Sequence, residues 1–136
     1  LIGNKQSGDE LGLKPRAKIR GFASIGSEPS IMLTGPSLVT QKLLKKLGME
    51  VGDIDLYELN EAFASVVLRM MQHLDIPHEK MNVNGGACAL GHPIGASGAR
   101  ILVTLLNALE IRGLKRGVAA ICIGGGEGTA MAIERV

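Results

Sequence analysis

Apolar residues recur along this chain with two periods, and the periods take turns. From Ala17 to Ile25 the alternation puts Ile19, Ala23 and Ile25 on one face, which predicts a strand. Pro36 then stands where a first helical turn tolerates a missing N–H. Val39, Leu43 and Leu47 follow at a spacing of four, with Lys45 and Lys46 near the end and Gly48 as the stop, so a helix is predicted here. Asp53 to Asn60 reads as a second strand. Glu61 to Leu74 reads as a helix with an apolar stripe of Phe63, Val66, Val67, Met70 and Leu74. Met81 to Val83 is a short third strand. A glycine-rich loop, Asn84 to Ile94, feeds a helix from about Gly95 to Ile111 that is apolar nearly all round, so it needs protein on every side. Gly117 to Ile123 is an unbroken apolar run, the mark of a strand buried on both faces. A glycine turn and a last strand, Thr129 to Glu134, close the chain.

The order is β-α-β-α-β-α-β-β, which predicts an α/β fold with a mixed, mostly parallel sheet of about five strands and an antiparallel final pair. Residues 1–14 show no sustained period and read as a linker or frayed lead-in, with residues 15–136 as the domain.

Composition narrows the function more than the fold. The 136 residues are 46% hydrophobic and 21% charged, a globular balance. Fifteen basic against 13 acidic residues leave a net charge of +2, with no basic stripe and only Phe22, Tyr57 and Phe63 as aromatics, so no nucleic-acid partner is expected. Two cysteines make neither a disulfide framework nor a zinc site. No apolar run approaches a membrane span and no signal peptide opens the chain, so a cytoplasmic or other intracellular protein is expected. The 19 glycines crowd towards the second half, as tight turns or close backbone approach require.

Three segments at element ends can carry chemistry. In Asn60-Glu61-Ala62-Phe63-Ala64 the asparagine suits a helix cap, and on that segment alone the cap is the better reading. In Asn84 to Gly95, His92 lies between Gly91 and Pro93, and a catalytic role stands slightly ahead of an inert one. Cys122 ends a buried strand before Gly124-Gly125-Gly126-Glu127-Gly128, whose N–H groups can stabilise a thiolate or an oxyanion. His73 and His78 read as surface residues and Cys88 as packing. The glycine turn lacks dinucleotide spacing, and no Gly-Lys-Ser/Thr marks a P-loop. Asn60, His92 and Cys122 are spaced by 32 and 30 residues, about one βα unit each. Brought together, an amide, an imidazole and a thiol suit acyl or carbanion chemistry.

These same segments, with Asn82 to Ala87, Gly91 to Arg100 and Cys122 to Gly128, resemble the three C-terminal signatures of the thiolases, in that family's order, over roughly Gly12 to Val136. The resemblance implies one of two similar α/β halves that pack around central helices. It implies that His92 helps deprotonate a nucleophilic cysteine, and that Cys122 acts as acid and base on the substrate's α-carbon or the CoA thiol. Asn60 (through a water) and His92 would form one oxyanion hole, the Gly124 N–H would contribute to a second, and Ala62, Phe63 and Met32 would line the substrate pocket. No permanently bound cofactor and no metal are implied; coenzyme A is a substrate, and the complete enzyme would be a homodimer or homotetramer. The family's nucleophile belongs to an N-terminal half that these residues do not include, so the chain alone is expected to be inactive. A non-catalytic assembly or acyl-CoA-binding module is the alternative. A ketoacyl-synthase relative would want a second His or an Asn where Cys122 stands.

Overall fold

Asn4 accepts a hydrogen bond from the Ser7 N–H and caps a short helix, α1 (Lys5–Glu10), so the opening segment is not irregular throughout. None of its residues is buried, which leaves it outside the core. The computed structural model describes residues 1–136. Strand β1 (Ala17–Gly26) follows. A bulge between Ile19 and Gly21 shifts its register, so Ile19 opposes Ile133 while Ala23 opposes Ala130. Ile133 and Ala130 belong to different core clusters, so Ile19 and Ala23 do not share a face as simple alternation suggests.

A 3-10 segment, Pro29–Thr34, leads into α2 (Gly35–Leu47), which Gly48 ends at φ 64°. Strand β2 (Leu56–Leu59) is shorter than the sequence suggests because a 3-10 turn, Val51–Asp53, takes up its beginning. Helix α3 (Ala64–Leu74) starts three residues later than expected. The glycine-rich loop holds one helical turn, α4 (Ala87–Leu90), before α5 (Ser97–Ile111). Strands β3 (Arg116–Cys122) and β4 (Glu127–Arg135) complete the fold.

The sheet runs β1-β4-β3-β2. β2 and β3 pair parallel, whereas β4 is antiparallel to both its neighbours. Three strands therefore run one way and β4 alone runs against them. Four strands form, not five: Met81 makes only a single parallel bridge to Tyr57 outside β2. The chain turns away there because Asn82 adopts φ 46°.

Helices α2 and α3 cover one face, burying Val39, Leu43, Val66 and Met70 against Tyr57, Leu59, Val118 and Ala120. α5 covers the other, with Ile101, Leu105 and Leu109 against Leu56, Ala119 and Ile133. β3 alternates between the two cores, as its unbroken apolar run demands. The outer side of α5 is open: Val103 is 56% exposed, so the all-round cover its composition calls for does not come from these residues.

At Gly128 an added Cβ would lie 2.7 Å from the carbonyl carbon of Gly35, backbone against backbone where α2 begins. Gly128→Ala should cost about 1–3 kcal/mol through this overpacking, read from urea unfolding. At Gly52, where nothing lies within 4 Å of the added carbon, alanine should stay within about 0.5 kcal/mol. Equal effects at both positions would contradict the packing account.

Candidate active site

Because β1, β2 and β3 run the same way, the segments leaving them meet at one rim of the sheet, where open α/β sheets place ligands. Met32 arrives in the 3-10 segment after β1, Asn60 to Phe63 after β2, and the glycine turn after β3. The loop ahead of α5 adds His92. A cavity of about 260 Å³ lies between them, lined by Met32, Leu33, Ala62, Phe63, His92, Cys122, Ile123 and Gly124. Six of the seven residues singled out from the sequence line it. The seventh, Asn60, is fully buried beside it, with its Nδ2 3.4 Å from His92 Nε2.

That contact overturns the capping role for Asn60. α3 begins beyond it, at Ala64, with Phe63 as the flanking residue and no side-chain cap. The Asn60 backbone N–H instead extends the ladder to Ala120 O at 3.0 Å. Its Oδ1 is buried with no partner in the chain, an exception that buried polar groups rarely show.

The glycine turn sorts its own donors. Ile123 N–H donates to Glu127 O at 2.9 Å, Gly126 N–H to Ile123 O at 3.1 Å, and Gly125 N–H to a Glu127 carboxylate oxygen at 2.9 Å. Gly124 N–H has no acceptor within the protein, and Gly124 lines the cavity. A preorganised, unclaimed donor of this kind can meet negative charge developing on a bound oxygen. Next to it, burial pushes the Cys122 thiol above the ordinary thiol value, outweighing a backbone hydrogen bond that lowers it. A thiol held protonated can give a proton before it takes one.

The loop that carries His92 is pinned by residues that periodicity does not mark. Asn82 Oδ1 accepts Leu59 N–H at 2.7 Å, and Asn82 Nδ2 donates to Leu59 O at 2.9 Å and to a Glu61 carboxylate oxygen at 2.8 Å. The other Glu61 oxygen accepts Cys88 N–H at 3.0 Å. Burial alone would raise the Glu61 carboxyl, but these hydrogen bonds outweigh it and hold the group below its ordinary value. Gly86 is required beside it, since a Cβ there would lie 2.3 Å from the carboxyl carbon. Ser97 Oγ lies 2.6 Å from His92 Nδ1. Glu58, fully buried in β2, receives Arg100 from the first turns of α5 at 2.8 Å. A charged residue inside an apolar strand was the available signal for Glu58. Asn82 and Ser97 gave none by periodicity; both lie within the segments that carry the family resemblance, which did not single them out.

Cys88 is exposed, so it is not the packing residue that its sequence setting suggests. His73 and His78 stay away from the rim; His73 meets only Gln41, at 3.4 Å. No group of three or more His, Cys, Asp or Glu side chains is placed to hold a metal ion, and no helix is long and apolar enough to cross a membrane.

Comparison with known proteins points the same way as the geometry. The family model described as thiolase, C-terminal domain, matches residues 13–135. The chain is 55% identical over 135 residues to an acetyl-CoA acetyltransferase of Chromobacterium violaceum, covering 99% of this chain and 34% of that protein. It is 52% identical over 139 residues to a 3-ketoacyl-CoA thiolase of Photorhabdus laumondii, covering 100% of this chain and 36% of that one. The crystal structure of the Bacillus anthracis acetyl-CoA acetyltransferase superposes with a TM-score of 0.92 at 45% identity, over 97% of this chain and 34% of that chain. The chain thus spans about a third of the length of these relatives.

Burial pushes the Glu58 carboxyl up to about 7, with Arg100 pulling the other way. The folded chain therefore holds this proton more tightly than the unfolded one, whose carboxyl titrates near 4.5. Stability from this group is complete below pH 4.5 and is lost as pH rises through 7. Urea unfolding across that window should show a falling contribution that Glu58→Gln removes, because the amide mimics the protonated acid. An unchanged slope in Glu58→Gln would contradict it.

Proposed function

Because the chain belongs to the thiolase family as its C-terminal domain, we propose that it is the half of a thiolase that moves protons and stabilises oxyanions. The complete enzyme would cleave a 3-ketoacyl-CoA with coenzyme A, or run the reverse Claisen condensation. The observation that carries this reading is the shared cavity: Cys122, His92 and Gly124, whose N–H is unclaimed within the protein, all line it, and Asn60 Nδ2 lies 3.4 Å from the His92 ring.

In the thiolytic direction the nucleophile is a cysteine thiol from the N-terminal half, outside these 136 residues. Cys88 is no substitute: although the residue is exposed, local desolvation and then the hydrogen bond and charge of the neighbouring Glu61 carboxylate raise its thiol and disfavour the thiolate. His92 takes the nucleophile's proton, and the sulfur electron pair attacks the 3-keto carbon. As the tetrahedral oxyanion collapses, the bond between C2 and C3 breaks and its electron pair moves onto C2. Cys122 gives its proton to that carbon, releasing acetyl-CoA and leaving an acyl-cysteine. The Cys122 thiolate then accepts the proton of an incoming CoA thiol, which attacks the acyl group. His92 returns its proton to the departing cysteine.

The raised Cys122 thiol suits this order, since the group starts protonated and acts first as the acid. Gly124 N–H supports the oxyanion at the acyl-enzyme stage, and Asn60, acting through a water, supports the thioester oxygen of the other substrate together with His92. Met32, Ala62 and Phe63 shape the apolar wall against the acyl chain. Coenzyme A is a substrate here, and the second half of the fold would lie against the open side of α5. A homodimer or homotetramer in the cytoplasm is the corresponding expectation for the whole enzyme. A non-catalytic module would leave the unclaimed donor and the buried, unpartnered Asn60 oxygen without a use.

In the enzyme completed by its N-terminal half, Cys122→Ala should lower condensation of acetyl-CoA by about 100-fold or more while the folded structure persists, checked by coupled assay and circular dichroism. Condensation at the unsubstituted rate would end the assignment of Cys122.

A further inference from the structure

Ser97 touches the His92 ring from the side opposite Asn60, and the proposed reaction does not yet use it. It opens α5, is buried to 1% exposure, and its Oγ lies 2.6 Å from His92 Nδ1 and 3.0 Å from Pro93 O. A serine hydroxyl has one hydrogen to give and can accept on the other side. The Pro93 carbonyl can only accept. With the hydroxyl hydrogen directed to Pro93 O, an Oγ lone pair faces Nδ1, and Nδ1 must carry the ring proton.

The far side of the ring agrees. With Nδ1 protonated, neutral His92 presents a lone pair at Nε2, which faces Asn60 Nδ2 at 3.4 Å, a group that can only donate. In the reverse arrangement the hydroxyl donates to Nδ1, Nε2 carries the hydrogen, and Asn60 must turn its oxygen towards the ring. Its NH2 group would then occupy the buried position where Oδ1 now has no partner. Stranding two buried N–H donors costs more than under-satisfying one carbonyl oxygen.

We propose that Ser97 is a positioning residue that holds His92 as its Nδ1–H tautomer, leaving Nε2 as the base. The tautomer stands on hydrogen bonding alone; its catalytic consequence rests on the thiolase reading. When His92 takes the nucleophile's proton, the S–H bond breaks, its electron pair stays on sulfur, and an N–H bond forms at Nε2. In the resulting imidazolium Nδ1–H donates to Ser97 Oγ, while Nε2–H, which Asn60 Nδ2 cannot accept, turns to a substrate oxyanion. With the other tautomer Nε2 would already carry its hydrogen and could not accept the thiol proton.

The test is nitrogen-15 NMR of the histidine ring on this chain, at alkaline pH, with Ser97→Ala and Ser97→Thr alongside. The expected result is a pyrrole-like Nδ1 and a pyridine-like Nε2 for His92. Ser97→Ala should move both resonances towards intermediate values, and Ser97→Thr, which keeps the hydroxyl, should restore the original pair. A pyridine-like Nδ1 in the unsubstituted chain, or identical ring shifts in Ser97→Ala, would overturn the proposal. In the completed enzyme Ser97→Ala should lower kcat by about 10-fold or more, with KM nearly unchanged and recovery in Ser97→Thr. Full thiolysis by His92→Ala would overturn the functional reading and with it the catalytic consequence, while the ring shifts would still decide the positioning role.

Discussion

A single carboxamide continues the sheet where its backbone stops. On the outer edge of β2, Leu59 has no strand neighbour, and Asn82 supplies one from its side chain, accepting the Leu59 N–H and donating to the Leu59 carbonyl. The Asn82 backbone N–H bonds Tyr57 O at 2.9 Å, one pleat earlier. Its remaining amide hydrogen goes to Glu61, whose second oxygen holds Cys88. The end of β2, the turn carrying Asn60 to Phe63, and the loop carrying His92 are thereby joined by four hydrogen bonds through two buried or half-buried side chains. Each is worth about 0.5–3 kcal/mol, the larger values applying to the ionised Glu61. Removing one partner strands the others, so the cost of breaking this joint exceeds any single bond.

The joint also decides which backbone groups remain for ligands. Loop and turn amides are mostly consumed internally: Cys88 by Glu61, Gly91 by Ala87 O at 2.8 Å, and Gly125 by Glu127. The N–H of Gly124, a residue of the cavity lining, is left over. Two glutamates thus secure the frame without entering the cavity lining, while the lining carries the thiol and the imidazole. Glu58 with Arg100 fastens α5 to β2 from behind the same rim. Because Ser97 opens α5, the orientation of the His92 ring follows the placement of that helix.

Much of this was legible in the residues. The two-period alternation located every strand and every long helix, and the unbroken run in β3 correctly implied helices on both faces. The spacing of Asn60, His92 and Cys122 by single βα units foretold one shared rim, because parallel strands bring their ends to one side. What periodicity could not show was where backbone hydrogen bonds are met by side chains. Asn60 looked like a helix cap because its amide could reach N–H groups nearby in sequence; the chain instead uses it 32 positions away, on His92. Met81 to Val83 had strand-forming residues, yet Asn82 at φ 46° ends the pairing after one bridge. The β1 bulge is likewise silent in composition, since one extra residue leaves the alternation intact on either side. Cys88 shows the converse: a residue type common in cores is exposed, and it is its backbone N–H that Glu61 engages.

The account depends most on the Asn82 side chain as the missing strand partner, and native-state amide hydrogen exchange in Asn82→Gly tests it directly. Glycine keeps the left-handed backbone available, so the comparison isolates the carboxamide. The Leu59 and Cys88 amides should lose protection together, by about 10-fold or more, while Ala130 and Ala132 in β4 keep theirs. Unchanged exchange at Leu59 and Cys88, or an equal loss spread over the whole sheet, would contradict it.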